Sequence, residues 1–554
     1  MKNIIKLCAI IGLFTFVDTS YSQTVGLLYN DTSNSFKGYT LLASKHNSMS
    51  YLIDNNGHQV HEWTASNYPP GQAVYLLPNG NLFRTCQVQG QLGTGGGEGG
   101  RIEEYNWNDS LVWSIDYSTT TYMQHHDAKK LPNGNVIMCV VEKKTIAQAI
   151  AAGFDTSRFQ PDVRTHGFFL PDAIIEVQPT YPSGGTVVWS WHVMDHLIQH
   201  FDSTKSNYGV PSAHPELIDA AGNHQAEPLF WNHVNSIDYN ADLDQIVLSA
   251  RGNSEIWVID HSTTLAQSAS HAGGAHGKGG DLLYRWGNPV CYGAGTIANE
   301  KLYQQHDAEW IKTGYPGAGH IMCFNNGLGR NYSTMDEIAT PVDAFGNYSL
   351  TVGQPYAPTA LFWTYQATPP SSLFALDISG AQRLPNGNTL IDNGPRGTLT
   401  EVTASGTTVW KYISPITNNG PLTQGDTLPA DPTHANEFMN AIFRVYRYPL
   451  NFSAFTGRVI TPGNTIELHP TSLSNIANQT DILENYPNPF TSRINIKNAS
   501  GKENYELWND IGILVWQGKN IELQDFSSLA TGIYFLKTLT PSSIQILKAI
   551  KHNK

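Results

Sequence analysis

The sequence predicts an all-β chain, and three observations lead to that prediction. Charged residues make up 14% of the 554 residues, well below the usual quarter. Aromatic residues reach 11%, and aromatic and β-branched side chains favour strands. A Pro-Asn-Gly turn, typical of tight hairpins, recurs between apolar stretches at 78–80, 132–134 and 385–387. We therefore expect strands joined by short turns along most of the chain.

The turn belongs to a repeated unit of an apolar strand, the turn, a second strand and later a strand that carries tryptophan. Six such closing strands are HEW at 61–63, LVWSI at 111–115, VVWSW at 187–191, LYRWG at 283–287, LFWTY at 361–365 and TVWKY at 408–412. Repeated four-stranded antiparallel units are typical of a β-propeller. The sequence therefore predicts a six-bladed β-propeller, which NAIFRVYRYPL at 440–450 would close against the first strands. A β-sandwich or a solenoid is the competing fold.

Both ends of the chain differ from this repeat. Residues 1–22 have a lysine-bearing start, the apolar core LCAIIGLFTFV and small residues before Gln23, which is the pattern of a secretory signal peptide. We expect the propeller at 23–455, a Thr-, Ser-, Asn- and Pro-rich linker at 456–482 and a small β-sandwich of short strands at 483–554. Since no later stretch reaches 18 apolar residues, no transmembrane segment is expected in the mature chain.

Charge and cysteine content limit the partners and bonds that we expect. The formal net charge of −13 repels polyanions, so nucleic acid is not an expected partner, and an anionic substrate would need a local cationic pocket. Export permits a disulfide. However, the sequence gives no pairing, and free buried thiols fit as well for Cys86, Cys139, Cys291 and Cys323.

One position of the repeat carries histidine in some units and not in others. At the start of the first strands the copies read HHDA at 125–128, NHVN at 232–235 and QHDA at 305–308, but ISG at 378–380 and GQA at 71–73. Equivalent positions of propeller blades converge near the central channel. We therefore expect His126, His233 and His306 to face one site. For the other histidines, a surface or hydrogen-bonding role is the expectation.

Two further residues bear on this cluster. On a regular strand His125 points away from His126, and the recurrence of HDA favours His126 as the inward residue. Arg251 follows His233 by 18 residues, the length of one hairpin, so pairing of the two strands would bring them together. The guanidinium fork suits a multi-oxygen anion such as sulfate or phosphate. Partnership with a buried aspartate is the alternative role for this arginine.

Several chemistries remain open for three histidines and an arginine. The sequence has no serine nucleophile elbow, P-loop or dinucleotide-binding motif, and GTGGGEGG at 93–100 reads as a flexible loop. Neutral imidazole can be a nucleophile, a general acid or base, or a metal ligand. A tri-histidine metal enzyme and a non-catalytic cell-surface binding propeller therefore stay as alternatives. Long insertions at 141–172, 193–230 and 262–280 are expected to cover the channel.

The stretches HHDAKKLPNGN, NHVNSIDYNADLDQIVLSAR, YRWGNP and QQHDA, with the repeated LPNGN units, resemble the bacterial arylsulfate sulfotransferase family over about residues 40–445. The resemblance implies a six-bladed propeller that moves a sulfuryl group from a phenolic sulfate ester to a phenolic acceptor. No nucleotide sulfate donor, metal or other cofactor is implied. It implies catalytic roles for His126, His233, Arg251 and His306, with His306 transiently sulfurylated, and it favours Asn235 as a substrate-binding donor.

The tail carries NYPNPF at 485–490, a turn at 510–512, LATGIY at 529–534 and a lysine-bearing last strand. These features resemble the C-terminal sorting domain of the type IX secretion system of Bacteroidetes. The resemblance implies that the type IX machinery is a partner and that the protein is secreted or held at the cell surface after passing through the periplasm. A carbohydrate-binding sandwich is the alternative.

Overall fold

The computed structural model describes residues 23–88, 92, 96–220, 229–351, 353–469, 484–497, 499, 501–509, 513–539 and 544–552. The predicted signal peptide at 1–22 lies outside the described residues, as does 470–482 of the predicted linker. The chain divides into two compact units, 1–469 and 470–554. Residues 456–469, which the sequence assigns to the linker, therefore group with the first unit.

The described residues of the first unit form mainly strands, so the prediction of an all-β chain is confirmed. The strands are β1 Gly26–Asn30, β2 Gly38–Leu42, β3 Ser50–Ile53, β4 Gln59–Trp63, β5 Pro70–Leu76, β6 Leu82–Gln87, β7 Gly100–Tyr105, β8 Leu111–Asp116, β9 Tyr122–Lys130, β10 Val136–Glu142, β11 Lys144–Thr145, β12 Phe168–Phe169, β13 Asp172–Pro179, β14 Gly185–His192, β15 Leu197–Ile198, β16 Ile218–Asp219, β17 Val234–Asn240, β18 Gln245–Ala250, β19 Glu255–Asp260, β20 Tyr284–Trp286, β21 His306–Trp310, β22 Ile321–Asn325, β23 Thr334–Ile338, β24 Trp363–Gln366, β25 Gly380–Arg383, β26 Thr389–Asn393, β27 Thr398–Val402, β28 Thr408–Ile413, β29 Ile416–Thr417, β30 Gly420–Pro421 and β31 Tyr446–Pro449. The α-helices of this described part are α1 Ile146–Ala151, α2 Pro161–His166 and α3 Leu265–Ser268. Over the described residues, no helix is long and apolar enough to cross a membrane.

Within the described part of this unit, six antiparallel sheets have four or five strands each. In order along the chain, sheet 1 is β31-β2-β3-β4, sheet 2 is β5-β6-β7-β8, sheet 3 is β9-β10-β13-β14, sheet 4 is β17-β18-β19-β20, sheet 5 is β21-β22-β23-β24 and sheet 6 is β25-β26-β27-β28-β1. Strand β31, from the end of the unit, completes sheet 1, while β1, from its start, extends sheet 6. Strand pairing therefore joins the two ends of the unit to each other's sheets.

The Pro-Asn-Gly turns form the hairpins that their sequence predicts. In the β9–β10 hairpin, Leu131 N donates to Asn135 O at 2.8 Å and Gly134 N donates to Leu131 O at 2.9 Å. Only the glycine has a positive φ, 89° for Gly134. The asparagine contributes its side chain instead, since Asn133 Oδ1 accepts from Asn135 N at 2.9 Å. The same bonds recur in the β5–β6 and β25–β26 hairpins.

The tryptophan of each closing strand binds the next sheet. Each indole N–H group donates a hydrogen bond of 2.8 to 3.0 Å. The pairs are Trp63 to Asn106 O, Trp113 to Gly184 O, Trp189 to Thr263 Oγ1, Trp286 to Pro358 O, Trp363 to Ala404 O and Trp410 to Asn55 O. Every acceptor lies between the last two repeat strands of its sheet. The tryptophan of sheet 6 thus bonds to sheet 1.

The hydrophobic core lies between consecutive sheets because the strands are buried on both faces. In β18, Ile246 and Leu248 pack with residues of sheet 3 such as Trp191. Val247, between them, packs with residues of sheet 5 such as Ile321. Alternate side chains of a strand point to opposite faces, so one strand contributes to two cores. Cys86, Cys139, Cys291 and Cys323 are buried in this arrangement, and none of them forms a disulfide among the described residues.

Two of the long insertions take different positions. Phe154, from 141–172, packs its ring against Trp231 at 4.8 Å between centroids, two residues before His233. The segment 262–280 instead packs against β14, where Ser268 Oγ donates to Ser190 O at 2.6 Å. Strand β14 is the edge of sheet 3 farthest from β9. This contact lies away from β9, and the covering of the channel by 262–280 stays a prediction.

The second unit is all-β in its described residues. Its strands are β32 Glu484–Tyr486, β33 Asn495–Lys497, β34 Asn504–Asn509, β35 Leu514–Gly518, β36 Gly532–Leu539 and β37 Ile544–Lys551, paired as β32-β33 and β35-β34-β36-β37. The NYPNPF motif docks on the last strand, where Asn488 Nδ2 donates to Lys548 O at 2.8 Å. Phe490 is fully buried in the core with Leu507 and Leu536. The predicted turn at 510–512 lies outside the described residues.

Candidate functional site

The first strands of sheets 2 to 5 share a β-bulge at the position where the repeat varies. In β9, Gln124 pairs with Val140 and Ala128 with Met138, so residues 125–127 lie opposite one residue of β10. The pairing of β5 skips in the same way. In β17 and β21 two residues oppose one, shortly after His233 and directly after His306. Bulges redirect side chains and are frequent beside active sites. The repeated backbone therefore explains why this position can carry a functional residue.

Positive φ angles accompany the bulges. The φ values are 47° for His126, 51° for His233 and 57° for Asp307, a conformation that residues other than glycine adopt uncommonly. All three predicted histidines are buried, with exposed fractions of 3% for His126, 6% for His233 and 2% for His306. Strained, buried polar residues cluster at functional sites. The burial and backbone of these three histidines therefore favour a functional site over the surface role expected of the other histidines.

A chain of polar contacts joins sheets 3 and 4 through the predicted residues. His125 Nε2 lies 3.0 Å from Asp172 Oδ1, and His125 Nδ1 lies 2.7 Å from His126 Nδ1. His126 Nε2 in turn lies 3.2 Å from His233 Nε2. The positive φ of His126 breaks the strand alternation, so the expectation that His125 points away from His126 is wrong.

The contacts assign the protons of this chain. The Asp172 carboxylate lies 3.0 Å from His125 Nε2 without forming an aligned hydrogen bond. Since a carboxylate only accepts, its charge favours the neutral tautomer of His125 with the proton on Nε2 and the lone pair on Nδ1. His126 then donates from Nδ1 and accepts at Nε2 from His233. Burial, and then the neighbouring His233, hold the pKa of His126 well below its usual value. Burial lowers the pKa of His233 to about 4. Both rings are therefore neutral at pH 7.

His306 is held in one tautomer by Asn326. The Nδ2 atom of Asn326 donates to Ala375 O at 3.0 Å and to Ile378 O at 3.1 Å, which directs its Oδ1 toward His306. His306 Nδ1 lies 2.8 Å from that oxygen and must carry the proton. The lone pair of His306 is thus on Nε2. Burial, and then the Arg251 charge, keep the pKa of His306 well below its usual value, so the ring is unprotonated at neutral pH.

Arg251 brings a cation to these rings. It opens the 3-10 turn Arg251–Asn253 after β18, and its backbone N donates to His233 O at 3.1 Å. Burial lowers its pKa to about 10, while Asp377 opposes that shift, so it stays charged at pH 7. The Arg251 charge depresses the pKa of both His126 and His306. The hairpin thus places a cation among the histidines, although Asp377 also belongs to its surroundings.

Asn235 makes a contact between sheets. Its Nδ2 donates to Gln305 O at 2.8 Å, one residue before His306. This bond fixes β17 against β21 beside two of the predicted catalytic histidines. The substrate-binding role that the sequence favours for Asn235 stays a prediction.

Apolar groups flank the imidazoles. The ring of Phe230 lies 4.8 Å from that of His233, and the ring of Phe443 lies 5.8 Å from that of His126. Gly97, from the glycine-rich loop, accepts at its O from His126 N at 3.1 Å. A Cβ at position 97 would lie 1.9 Å from His126 Cε1. The described part of this loop therefore packs on the histidine, and only glycine fits there.

Sequence reasoning missed Arg444, a buried arginine that contacts the aspartates directly after His126 and His306. Arg444 Nη1 donates to Asp127 Oδ2 at 2.9 Å and lies 3.0 Å from Asp307 Oδ1. Its Nη2 donates to Asn235 O at 3.0 Å. Burial works against its charge, yet the carboxylates of Asp127 and Asp307 raise the pKa of Arg444 well above its usual value. The aspartate in both HDA copies was the available signal for this contact.

The geometry of the histidines suits proton transfer and nucleophilic attack better than a shared metal ion. His126 Nε2 and His233 Nε2 face each other at 3.2 Å, as acceptor and donor of one proton. Over the described residues, three ligand atoms of His, Cys, Asp or Glu converge at two other places, around His196 and around His46. The cluster can therefore supply one nucleophilic nitrogen, one fixed cation and a proton relay.

Comparison with known proteins identifies two regions. The sequence model of the arylsulfotransferase (ASST) family matches residues 17–419, and that of the secretion system C-terminal sorting domain matches 484–552. The second match points to secretion or attachment at the cell surface. No protein of the curated collection matches the chain.

Solved structures are similar only at low identity. A protein of unknown function from Bacteroides caccae shares 11% identity over 69% of this chain and 94% of its own, with a TM-score of 0.37. A putative 6-phosphogluconolactonase from Bacteroides fragilis shares 9% over 75% and 99%, with a TM-score of 0.34. A virginiamycin B lyase from Staphylococcus aureus shares 10% over 69% and 86%, with a TM-score of 0.29. These likenesses carry no functional conclusion.

The family match covers more than half of the chain and includes every residue of the predicted site. It confirms the resemblance that the sequence stretches indicated. The chain therefore belongs to the arylsulfotransferase family and carries a type IX sorting domain at its C-terminus.

Proposed function

We propose that the first unit is a closed six-bladed β-propeller, in which sheets 1 to 6 are the blades. The bond from Trp410 of sheet 6 to Asn55 of sheet 1 supports closure. So does the pairing of β31 with β2 and of β1 with β28. A ring leaves few exposed sheet edges and turns the first strands toward a common channel. The bulged strands that carry the histidines would then line that channel.

We further propose that the protein transfers a sulfuryl group from a phenolic sulfate ester to a phenolic acceptor, with His306 as nucleophile. The observation that carries this proposal is the Asn326 contact, which leaves the lone pair of His306 on Nε2. His306 Nε2 attacks sulfur, the bond from sulfur to the aryl oxygen breaks, and a phenolate leaves. In the second half, the oxygen of an acceptor phenol attacks sulfur and the N–S bond breaks, which restores His306.

Charge stabilisation should dominate this chemistry, as in phosphoryl transfer, where the transition state is loose and little covalent work falls to the protein. Arg251, still charged at pH 7, would hold the sulfuryl oxygens. The Nε2–H of His233 would join it once a proton on His126 Nε2 releases that group from His126. Phe230 and Phe443 would contact the aryl ring of donor or acceptor. The hydrogen bond from Asn235 to Gln305 O would hold the backbone beside His233 against the backbone beside His306.

The histidine chain favours His126 as the general acid and base, with His233 as the alternative. A proton gained at His126 Nε2 would be stabilised through His125 by the carboxylate of Asp172, as an aspartate supports the histidine of a hydrolase triad. The sulfate ester is anionic and raises the pKa of nearby imidazoles when bound. His126 would protonate the leaving phenolate and then deprotonate the acceptor phenol.

A turnover assay with a chromogenic aryl sulfate and a phenol tests the proposal. We expect wild type and His200→Ala, a histidine with 56% exposed side chain, to form the sulfated acceptor at equal rates. His306→Ala should lose at least a thousandfold in kcat/KM. Equal rates for wild type and His306→Ala would reject His306 as nucleophile, and rates no higher than background in both would favour a binding propeller. Loss of wild-type turnover on chelation, restored by a metal ion, would favour the tri-histidine metal enzyme.

A further inference from the structure

A second cluster of polar side chains lies on the far side of sheet 3 from the bulged strands. It comprises His196, which follows β14, and His271 and Asp281 from the insertion between β19 and β20. Nδ1 of His196 and Nδ1 of His271 each lie 2.8 Å from Asp281 Oδ1. Three atoms that can carry lone pairs therefore converge on one point.

The other nitrogen of His196 decides where its lone pair is. His196 Nε2 lies 2.8 Å from Ser268 O, and a carbonyl oxygen only accepts, so Nε2 carries the proton. In the neutral ring the Nδ1 lone pair then faces an oxygen of Asp281 that also has only lone pairs. Such a contact is favourable only when a proton or a metal ion joins the two atoms. Metal-binding histidines have this same arrangement, with the second N–H donated to a backbone carbonyl.

The surroundings hold His196 and Asp281 rigidly and leave His271 accessible to solvent. His196 is fully buried and stacks on Trp191, with ring centroids 5.5 Å apart. A Cβ at Gly280 would lie 2.6 Å from His196 Nε2, so the chain passes directly against the ring. His271 has 60% of its side chain exposed. An ion bound here would have fixed ligands on the protein side and an open position toward water.

We propose that His196, His271 and Asp281 bind one divalent first-row transition metal ion, with Zn²⁺ as the best-suited ion. Two imidazole nitrogens and one carboxylate oxygen are a usual zinc set, and the fourth position would hold water. The ion would link the 262–280 insertion to the end of β14. The proposal is independent of sulfuryl transfer, since none of its ligands belongs to the histidine site.

A second cluster with three possible ligand atoms comprises His46, Asp431 and Glu437. There, Glu437 accepts from the Lys45 ammonium with both oxygens, at 2.9 and 2.8 Å. The ammonium already neutralises the carboxylate and would repel a metal ion, so no site is proposed at that cluster.

Metal binding by the full-length protein tests the proposal. After removal of metals with a chelator, we expect one Zn²⁺ per chain in elemental analysis after reconstitution, and a rise in Tm on adding Zn²⁺. Exposed His271 can be changed without disturbing the core, and His271→Gln should weaken Zn²⁺ affinity at least tenfold in calorimetry. Asp281→Asn should do the same. The matched control is His214→Gln, an exposed histidine 3.0 Å from Glu216, which should leave the affinity unchanged.

Opposite results would overturn the proposal. These are an absence of stoichiometric Zn²⁺ binding in the wild type, or equal affinities in wild type, His271→Gln and Asp281→Asn. Loss of binding in His306→Ala or His126→Ala, with binding retained in His271→Gln, would move the ion to the histidine site and reject the assignment made here. Turnover that is unchanged by the chelator while Tm falls would support a site separate from catalysis.

Discussion

At the scale of single residues, function depends on which nitrogen of each imidazole carries the proton. Asn326 fixes the proton of His306 on Nδ1, and the charge of Asp172 favours that of His125 on Nε2. Burial is the first cause that keeps the pKa of His126, His233 and His306 below the usual value. The site therefore combines neutral imidazoles with one cation, Arg251, which suits an anionic sulfate ester.

The depressed pKa values predict an unusual pH profile. A nucleophile must be unprotonated, and the pKa of His306 lies well below 6.5, so acid should inactivate the enzyme only well below that pH. We expect kcat/KM for an aryl sulfate, which reports groups of the free enzyme, not to fall between about pH 7.5 and about pH 5.5. The proton that His126 must gain as general acid should instead make it rise toward pH 5.5. An acid limb centred near pH 6.5 would contradict the assignment of neutral buried histidines.

Asn326 offers a sharper test of the nucleophile's tautomer. In Asn326→Asp a carboxylate would accept from His306 Nδ1 and favour the imidazolium, which raises the pKa of His306. We expect kcat/KM to fall more at pH 6 than at pH 8, whereas Asn326→Ala should lose roughly tenfold at both pH values. Asn108→Asp, at an exposed turn of sheet 2, is the control. Parallel losses at both pH values for Asn326→Asp would reduce Asn326 to a structural role.

At the scale of elements, the bulged strands carry the histidines and a single guanidinium ties them together. Asp127 follows His126 on β9, and Asp307 follows His306 on β21. Arg444 contacts both carboxylates and also the carbonyl of Asn235 on β17. The residues next to each histidine are thus fixed by one side chain from the segment before β31. We infer that Arg444 is a positioning residue.

Replacing Arg444 should therefore affect stability and activity together. In Arg444→Met two buried carboxylates lose their counter-charge, and breaking a buried pair in this way costs about 3 to 5 kcal/mol. Denaturant unfolding measures the loss, and Lys205→Met, from a half-exposed pair with Asp202, should leave stability close to that of the wild type. Arg444→Lys should recover part of kcat without a change in KM. Wild-type stability of Arg444→Met would refute the role of the guanidinium.

The periodic part of the sequence was enough to predict the elements. The Leu-Pro-Asn-Gly-Asn copies and the tryptophan strands act through local turn chemistry and regular burial, so they can be read without the fold. Contacts that depend on irregular backbone could not be predicted from the sequence. The contact of His125 with His126, for example, depends on the positive φ of His126. Arg444 lies 317 residues from Asp127, and only the arrangement of sheets brings the two together.

At the scale of the whole molecule, the site and the export signal occupy different units. His126, His233, Arg251 and His306 all belong to the unit at 1–469, and the sorting domain belongs to the unit at 470–554. Each unit has its own hydrophobic core, such as that of Phe490 and Leu536 in the second. Catalysis should therefore depend on the first unit, and export on the second.

A chain that ends at His469 tests this division. We expect its kcat and KM with an aryl sulfate to equal those of the full-length chain. In a host with a type IX system, the full-length protein should reach the cell surface or the medium, whereas the shortened chain should stay in the periplasm. A shortened chain that is folded by circular dichroism but inactive would contradict the independence of the site.

The most direct test of the account is the position of the sulfuryl group during turnover. Enzyme mixed with an aryl sulfate and rapidly quenched should carry one sulfuryl group on His306, found by peptide mass spectrometry. His200→Ala should show the same adduct, and addition of a phenol before quenching should remove it. An adduct on His126 or His233, or none while the product accumulates, would contradict His306 as the nucleophile.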